Sequence, residues 1–130
     1  MALMKFREAN QVLWRGVRPG HNGTQVSADK DVTNAIAIIH TVTAGTTFHL
    51  CTLCFSRDSN IAGVGYLFYR DAADLNPVYF FAQVGIINVP TAVAPLYFWP
   101  PLELPAGYDV CVRAVGAGLI VRGYVFGWEE

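Results

Sequence analysis

Two stretches of the chain share one phrase, Thr41-Val-Thr-Ala-Gly-Thr-Thr-Phe-His-Leu50 and Glu103-Leu-Pro-Ala-Gly-Tyr-Asp-Val-Cys-Val112. Each is an extended apolar run, an Ala-Gly turn and a second alternating run. Glycine at such a turn removes the steric cost of a positive φ. In the second copy Pro105 also presets φ at a position that needs no donor. The phrase reads as hairpin-like pieces of an all-β chain. On either side, short β-branched and aromatic runs are cut by Gly and Pro. Residues 11–18, 34–42, 46–56, 61–70, 78–88, 96–102, 108–115 and 119–128 read as strands. That is about eight strands at the spacing of a sandwich or barrel. Pro90 and Pro95 bound a connector. No stretch carries the 3.6-residue periodicity of an amphipathic helix, and Asp71-Ala-Ala-Asp-Leu75 offers one turn at most. The expected fold class is all-β, an antiparallel β-sandwich. Residues 1–22 form an N-terminal arm with a first short strand, and residues 23–130 form the sandwich domain.

Composition sharpens this. Of 130 residues, 53% are hydrophobic and only 15% charged, whereas about a quarter are charged in an ordinary soluble domain. A domain of this length cannot hide so much apolar surface alone, so part of it is expected against another chain. The near-continuous apolar run 78–87 points the same way, because it asks for burial on both faces. The net charge of −1 supplies no global attraction to nucleic acid or an anionic membrane. No run of about 18 uninterrupted apolar residues is present, so no membrane span is expected. The opening Met1-Ala-Leu-Met-Lys-Phe-Arg-Glu8 does not read as a secretory signal, and the three cysteines are expected to be free thiols. Charge is uneven: Lys5, Arg7, Arg15 and Arg18 stand against Glu8 alone in the first 22 residues, while the rest is net acidic. A basic arm on an acidic body suits docking on a neighbour, with Trp14 as its aromatic anchor, and equally suits a solvated, partly ordered terminus.

The residues that could carry chemistry read mostly as structure. Cys51 and Cys54 have metal-ligand spacing, but a strand sends residues three apart to opposite faces, and no second paired set follows. His40 lies in an Ile-rich strand and reads as a hydrogen-bonded packing residue. His21 and His49 have no nucleophile elbow or metal motif beside them. Asp71 with Asp74, and Asp29 with Asp31, lack the length and glycine placement of a calcium loop and suit turns instead. No catalytic residue, metal site or cofactor is expected. The aromatics are eight Phe, six Tyr and three Trp. Tyr97, Phe98 and Trp99, just before Pro100-Pro101, read first as core or interface anchors and second as a sugar-stacking shelf.

Taken together, the segment from Val42 to Phe48, the stretch from Pro101 to Val110 and the closing Gly123-Tyr-Val-Phe-Gly-Trp128 resemble small jelly-roll structural proteins of tailed bacteriophage virions, of the head decoration or cementing type. The resemblance implies a jelly-roll sandwich, usually a homotrimer, on the capsid surface of the virion after synthesis in the host cytoplasm. Its implied partners are further copies of the chain and the major capsid protein or another virion protein, with no direct nucleic-acid or membrane contact. It brings no catalytic residues. On this reading Lys5, Arg7, Trp14, Arg15 and Arg18 contact the capsid, and Tyr79, Phe81, Tyr97 and Trp99 sit at the oligomer interface. The alternative is a carbohydrate- or receptor-binding module of a fibre or tail, with Tyr97, Trp99 or Tyr108 exposed beside a polar partner such as Asp109. An enzyme of the cupin type would need a His-x-His pair, which the chain lacks.

Overall fold

A computed structural model describes residues 23–57, 61–85 and 91–130. These form eight strands: β1 (Thr24–Thr33), β2 (Ile36–Thr41), β3 (Phe48–Arg57), β4 (Gly63–Arg70), β5 (Val78–Gly85), β6 (Thr91–Leu104), β7 (Asp109–Val115) and β8 (Ile120–Glu129). They build two four-stranded sheets, β1-β8-β3-β6 and β2-β7-β4-β5, and every pairing is antiparallel. No helix occurs among the described residues. The chain changes sheet at each connection except β4 to β5, which is the strand order of a jelly-roll sandwich.

The two Ala-Gly phrases are turns, but they are not hairpins. Gly45 has φ 81° and Gly107 φ 82°, as the third position of a type II turn requires. The Thr46 amide donates to the Thr43 carbonyl at 3.1 Å and the Tyr108 amide to the Pro105 carbonyl at 3.2 Å. Yet β2 and β3 belong to different sheets, as do β6 and β7. Both turns are therefore corners at one end of the sandwich. They bond to each other: the Val42 amide donates to the Tyr108 carbonyl at 2.8 Å, and the Gly107 amide to the Val42 carbonyl at 2.9 Å. The repetition in sequence is a pairing in space.

The strand expected at 11–18 lies outside the described residues. Two further expectations shift. β1 occupies residues outside every expected strand, because an edge strand with one wet face needs only Val26, Ala28 and Val32 turned inward. The connector between Pro90 and Pro95 is partly strand, since β6 begins at Thr91. It is the outer strand of its sheet, where proline costs no ladder bond.

The core sits between the sheets. Phe48, Leu50, Leu53 and Phe55 of β3 meet Leu67 of β4 and Val110 and Val112 of β7, all essentially unexposed. Leu50 and Leu53 are three residues apart, yet both point inward, because a bulge between Leu50 and Thr52 resets the alternation. A second bulge, between Ile38 and His40, places His40 opposite inward-facing Val110 instead of on the outer face that Ile36 and Ile38 share.

Candidate functional site

Alternation leaves each sheet one outer face, and the two faces differ in chemistry. On the second sheet, register aligns Ile38, Cys111, Phe68 and Tyr79 in one row across the strands, and Ile36, Arg113 and Tyr66 in the next. Ile36, Ile38, Val115 and Tyr79 are exposed to between 41% and 48%. The Tyr79 ring lies 5.4 Å from that of Tyr66 and 5.3 Å from that of Phe68. Arg113, the charge within these rows, stands 5.9 Å over the Tyr66 ring. The rows end in a polar lock. Buried Asp109 accepts from Thr41 on one side and from Arg70 Nη2 at 3.1 Å on the other, and Arg70 also reaches Asp74 at 3.2 Å.

The first sheet turns a polar face outward. Asp31 of β1 lies opposite Arg122 of β8, and Arg122 reaches Asp29 at 3.6 Å and Asp31 at 3.8 Å. The Ser27 and Tyr124 hydroxyls are 3.2 Å apart. Further along, the His49 ring stacks on the Trp128 indole, with centroids 4.7 Å apart and planes 8° from parallel. Its nitrogens stand 3.8 Å from Glu103 and 4.0 Å from Glu130. The Trp128 indole N–H donates to Glu130 Oε2 at 3.0 Å. Tyr97, opposite Thr52 in register, is 70% exposed, and Trp99 is 64% exposed. Phe98 between them turns inward, 5.7 Å from Phe80.

At the end of the sandwich that carries the Ala-Gly corners, Glu129 closes the gap between the sheets. Its Oε1 lies 2.7 Å from His40 Nε2 and accepts from the Thr43 amide at 2.9 Å. Burial alone would raise this carboxyl. The bonds from Thr43, side chain and main chain, and then the His40 ring outweigh that and hold it below its usual range. His40 is thus a hydrogen-bonded packing residue. Asp71 organises the β4–β5 loop, accepting from the Leu75 amide at 2.9 Å, the Ala73 amide at 3.0 Å and the Asn76 side chain at 2.6 Å.

The residues singled out from sequence divide among these surfaces. Lys5, Arg7, Trp14, Arg15 and Arg18 lie outside the described residues. Tyr79 stands on the apolar face. Phe81 turns the other way, its ring centroid 6.2 Å from that of Phe55. Tyr97 and Trp99 rise from the first sheet, so they do not continue the Tyr79 patch. Tyr108 is half-buried against Tyr69, with centroids 6.3 Å apart, and Asp109 is consumed by Arg70 and Thr41. The sugar reading therefore keeps its two exposed rings and loses Asp109 as their polar partner. Sequence reading passed over Ile36, Ile38 and Val115, and over the assembly of His49, Trp128 and Glu103. The signal for the first group was there: Ile36 and Ile38 alternate with Ala37 and Ile39 in a run apolar on both sides. The second group had no local signal, because it comes from three strands far apart in sequence.

The three cysteines are free. Burial pushes the Cys51 thiol up to about 12 and the Cys111 thiol up to about 11, which leaves both protonated and poor as nucleophiles or metal ligands. Among the described residues no three His, Cys, Asp or Glu side chains gather as a metal site. No protein-family model matches the chain, and no curated protein matches it either.

Proposed function

We propose that this chain is a structural protein that works by assembly: a jelly-roll homotrimer that decorates and clamps the outer surface of a virion head. The observation that carries the proposal is the outer face of the β2-β7-β4-β5 sheet. Ile36, Ile38, Val115 and Tyr79 stand exposed there, Arg113 is the charge within the rows, and Arg70 and Asp109 neutralise each other at their end. Exposed apolar side chains gathered on one face of a sheet mark interaction sites. Further copies of the chain are the occupants that fit, because three faces so poor in charge can converge on a threefold axis with little repulsion to overcome and apolar side chains to bury. The charge-poor composition of the whole chain agrees with this.

Clamping follows from mass action. A subunit that binds only the assembled shell stabilises it over the dispersed one. The basic segment with Lys5, Arg7, Trp14, Arg15 and Arg18 is the part proposed to contact the major capsid protein. Light scattering of the full chain is expected to give a trimer mass, and Ile38→Lys is expected to give monomers with an intact far-UV spectrum. A monomeric parent chain refutes the assembly reading. Deletion of residues 1–18 is expected to leave the trimer folded and to abolish decoration of purified heads. A truncated protein that still decorates them refutes the role of that segment.

A further inference from the structure

We propose that the outer edge of the first sheet, at Tyr97, Trp99, Glu103 and His49, binds a neutral pyranose oligosaccharide. This site is independent of the assembly face, which lies on the other sheet. Tyr97 and Trp99 are the two most exposed large hydrophobic side chains among the described residues, at 70% and 64%. Their neighbour Phe98 turns into the sandwich and anchors the strand beneath them. Two flat rings set in water two residues apart offer π faces, and the slightly positive C–H face of a sugar ring packs against such faces.

Polar groups stand at the distance a sugar needs. In register, Tyr97 is opposite Thr52 and Glu103 is opposite His49. Thr52 and His49 are three residues apart on one strand, across the bulge between Leu50 and Thr52, so Tyr97 and the Glu103–His49 pair lie within about 10 Å of each other along the sheet. The Glu103 carboxylate is 72% exposed and accepts from hydroxyls. The His49 ring is held in place before any ligand arrives, flat against Trp128 and between Glu103 and Glu130. Such preorganisation lowers the ordering cost of binding. The two carboxylates also select by charge: they repel sialic acids and uronates and accept neutral or N-acetylated sugars. A protein surface in the same place would have to bury the exposed Glu103 carboxylate, which costs free energy unless a cation meets it.

The test uses the full chain and calorimetric titration with cellotriose, maltotriose, chitotriose and, as the anionic arm, sialyllactose. At least one neutral trisaccharide is expected to bind and sialyllactose is not. Trp99→Ala and Tyr97→Ala are each expected to weaken binding about tenfold or more, with Trp99→Phe retaining most of it. Both positions are exposed, so the variants are expected to keep the parent's melting temperature and solution mass. The proposal is overturned if no neutral trisaccharide binds at millimolar concentration, if binding survives both alanine variants, or if sialyllactose binds equally well. It is also overturned if Trp99→Ala changes the solution mass, which would make the rings a protein contact. Because the assembly reading is tested on Ile38, either proposal can fail without the other.

Discussion

The two outer faces of this sandwich are built from the same alternation and put to opposite uses. On the first sheet the outward acids, hydroxyls, arginine and histidine satisfy one another: Asp29 and Asp31 with Arg122, Ser27 with Tyr124, His49 with Glu103 and Glu130; only at its β6 edge do two large rings, Tyr97 and Trp99, stand exposed. On the second sheet the outward positions are Ile36, Ile38, Tyr66, Phe68, Tyr79 and Val115 with Arg113 among them, and the remaining polar groups gather at one end of the rows. A face whose polar groups are mutually satisfied is at rest in water. A face of isoleucine and tyrosine is not, because apolar area in water costs free energy in proportion to its extent. The contrast separates a surface that tolerates solvent from one that a partner would cover.

The largest effect that sharpens this contrast lies behind the apolar face. Leu67 is fully buried, while its neighbours Tyr66 and Phe68 point outward. Leu67→Ala is expected to cost about 3 kcal/mol by cavity formation, read by urea denaturation. A loss below about 1 kcal/mol would mean that the core does not sit where the alternation puts it.

Next comes the clasp that joins the two sheets. Glu129→Ala removes an acceptor from His40 and from the Thr43 amide and is expected to cost about 2 kcal/mol. The sign with pH follows from the lowered Glu129 pKa. Its contribution is complete above the unfolded value and fades as pH falls through the folded one. Stability is therefore expected to drop as the medium is acidified below the ordinary value of 4.5. Glu129→Gln is expected to flatten that acid limb. An unchanged acid limb would remove Glu129 from the clasp.

A thiol on each face then compares them directly. Half-buried Cys54 lies on the polar face, whereas Cys111 lies under the apolar one with its thiol raised to about 11. At pH 8, iodoacetamide is expected to label Cys54 of the native protein while Cys51 and Cys111 react only after unfolding. Mass spectrometry that finds Cys111 labelled first would invert the comparison. The smallest effect is on the polar face itself. Arg122 and its acidic partners are each at least half exposed, so Arg122→Ala is expected to change stability by no more than about 0.5 kcal/mol. A larger loss would show that this face carries structural weight beyond solvation.

Much of the architecture is legible in the residues. The strands from 34 onward, the loop at Asp71, the absence of helical periodicity and the two Ala-Gly turns all follow from local sequence and recur in the fold. β1 was hidden because the alternate places of Thr24-Gln-Val-Ser-Ala-Asp-Lys-Asp-Val-Thr33 hold Val26, Ala28, Lys30 and Val32, an apolar alternation broken by a lysine and weakened by an alanine. The surfaces were less legible. Tyr79, Phe81, Tyr97 and Trp99 look alike as exposed aromatic candidates, yet one faces outward on the second sheet, one faces the core and two rise from the first sheet.

What the sequence determined alone is what acts within a few residues: which peptides can take a positive φ at Gly45 and Gly107, where proline stops a run, and which runs alternate. What only the tertiary structure decided is which strand lies beside which. The Ala-Gly turns are equally good for a hairpin and for a corner, and the choice between them rests on pairings such as β3 with β8, whose partners lie far apart in the chain. Bulges at Cys51 and Ile39 then set which side chains turn inward, and so send His40 to Glu129 instead of to the outer face. A bulge leaves little trace in sequence, because it is an adjustment to the strand alongside. The character of each face follows from those long-range pairings.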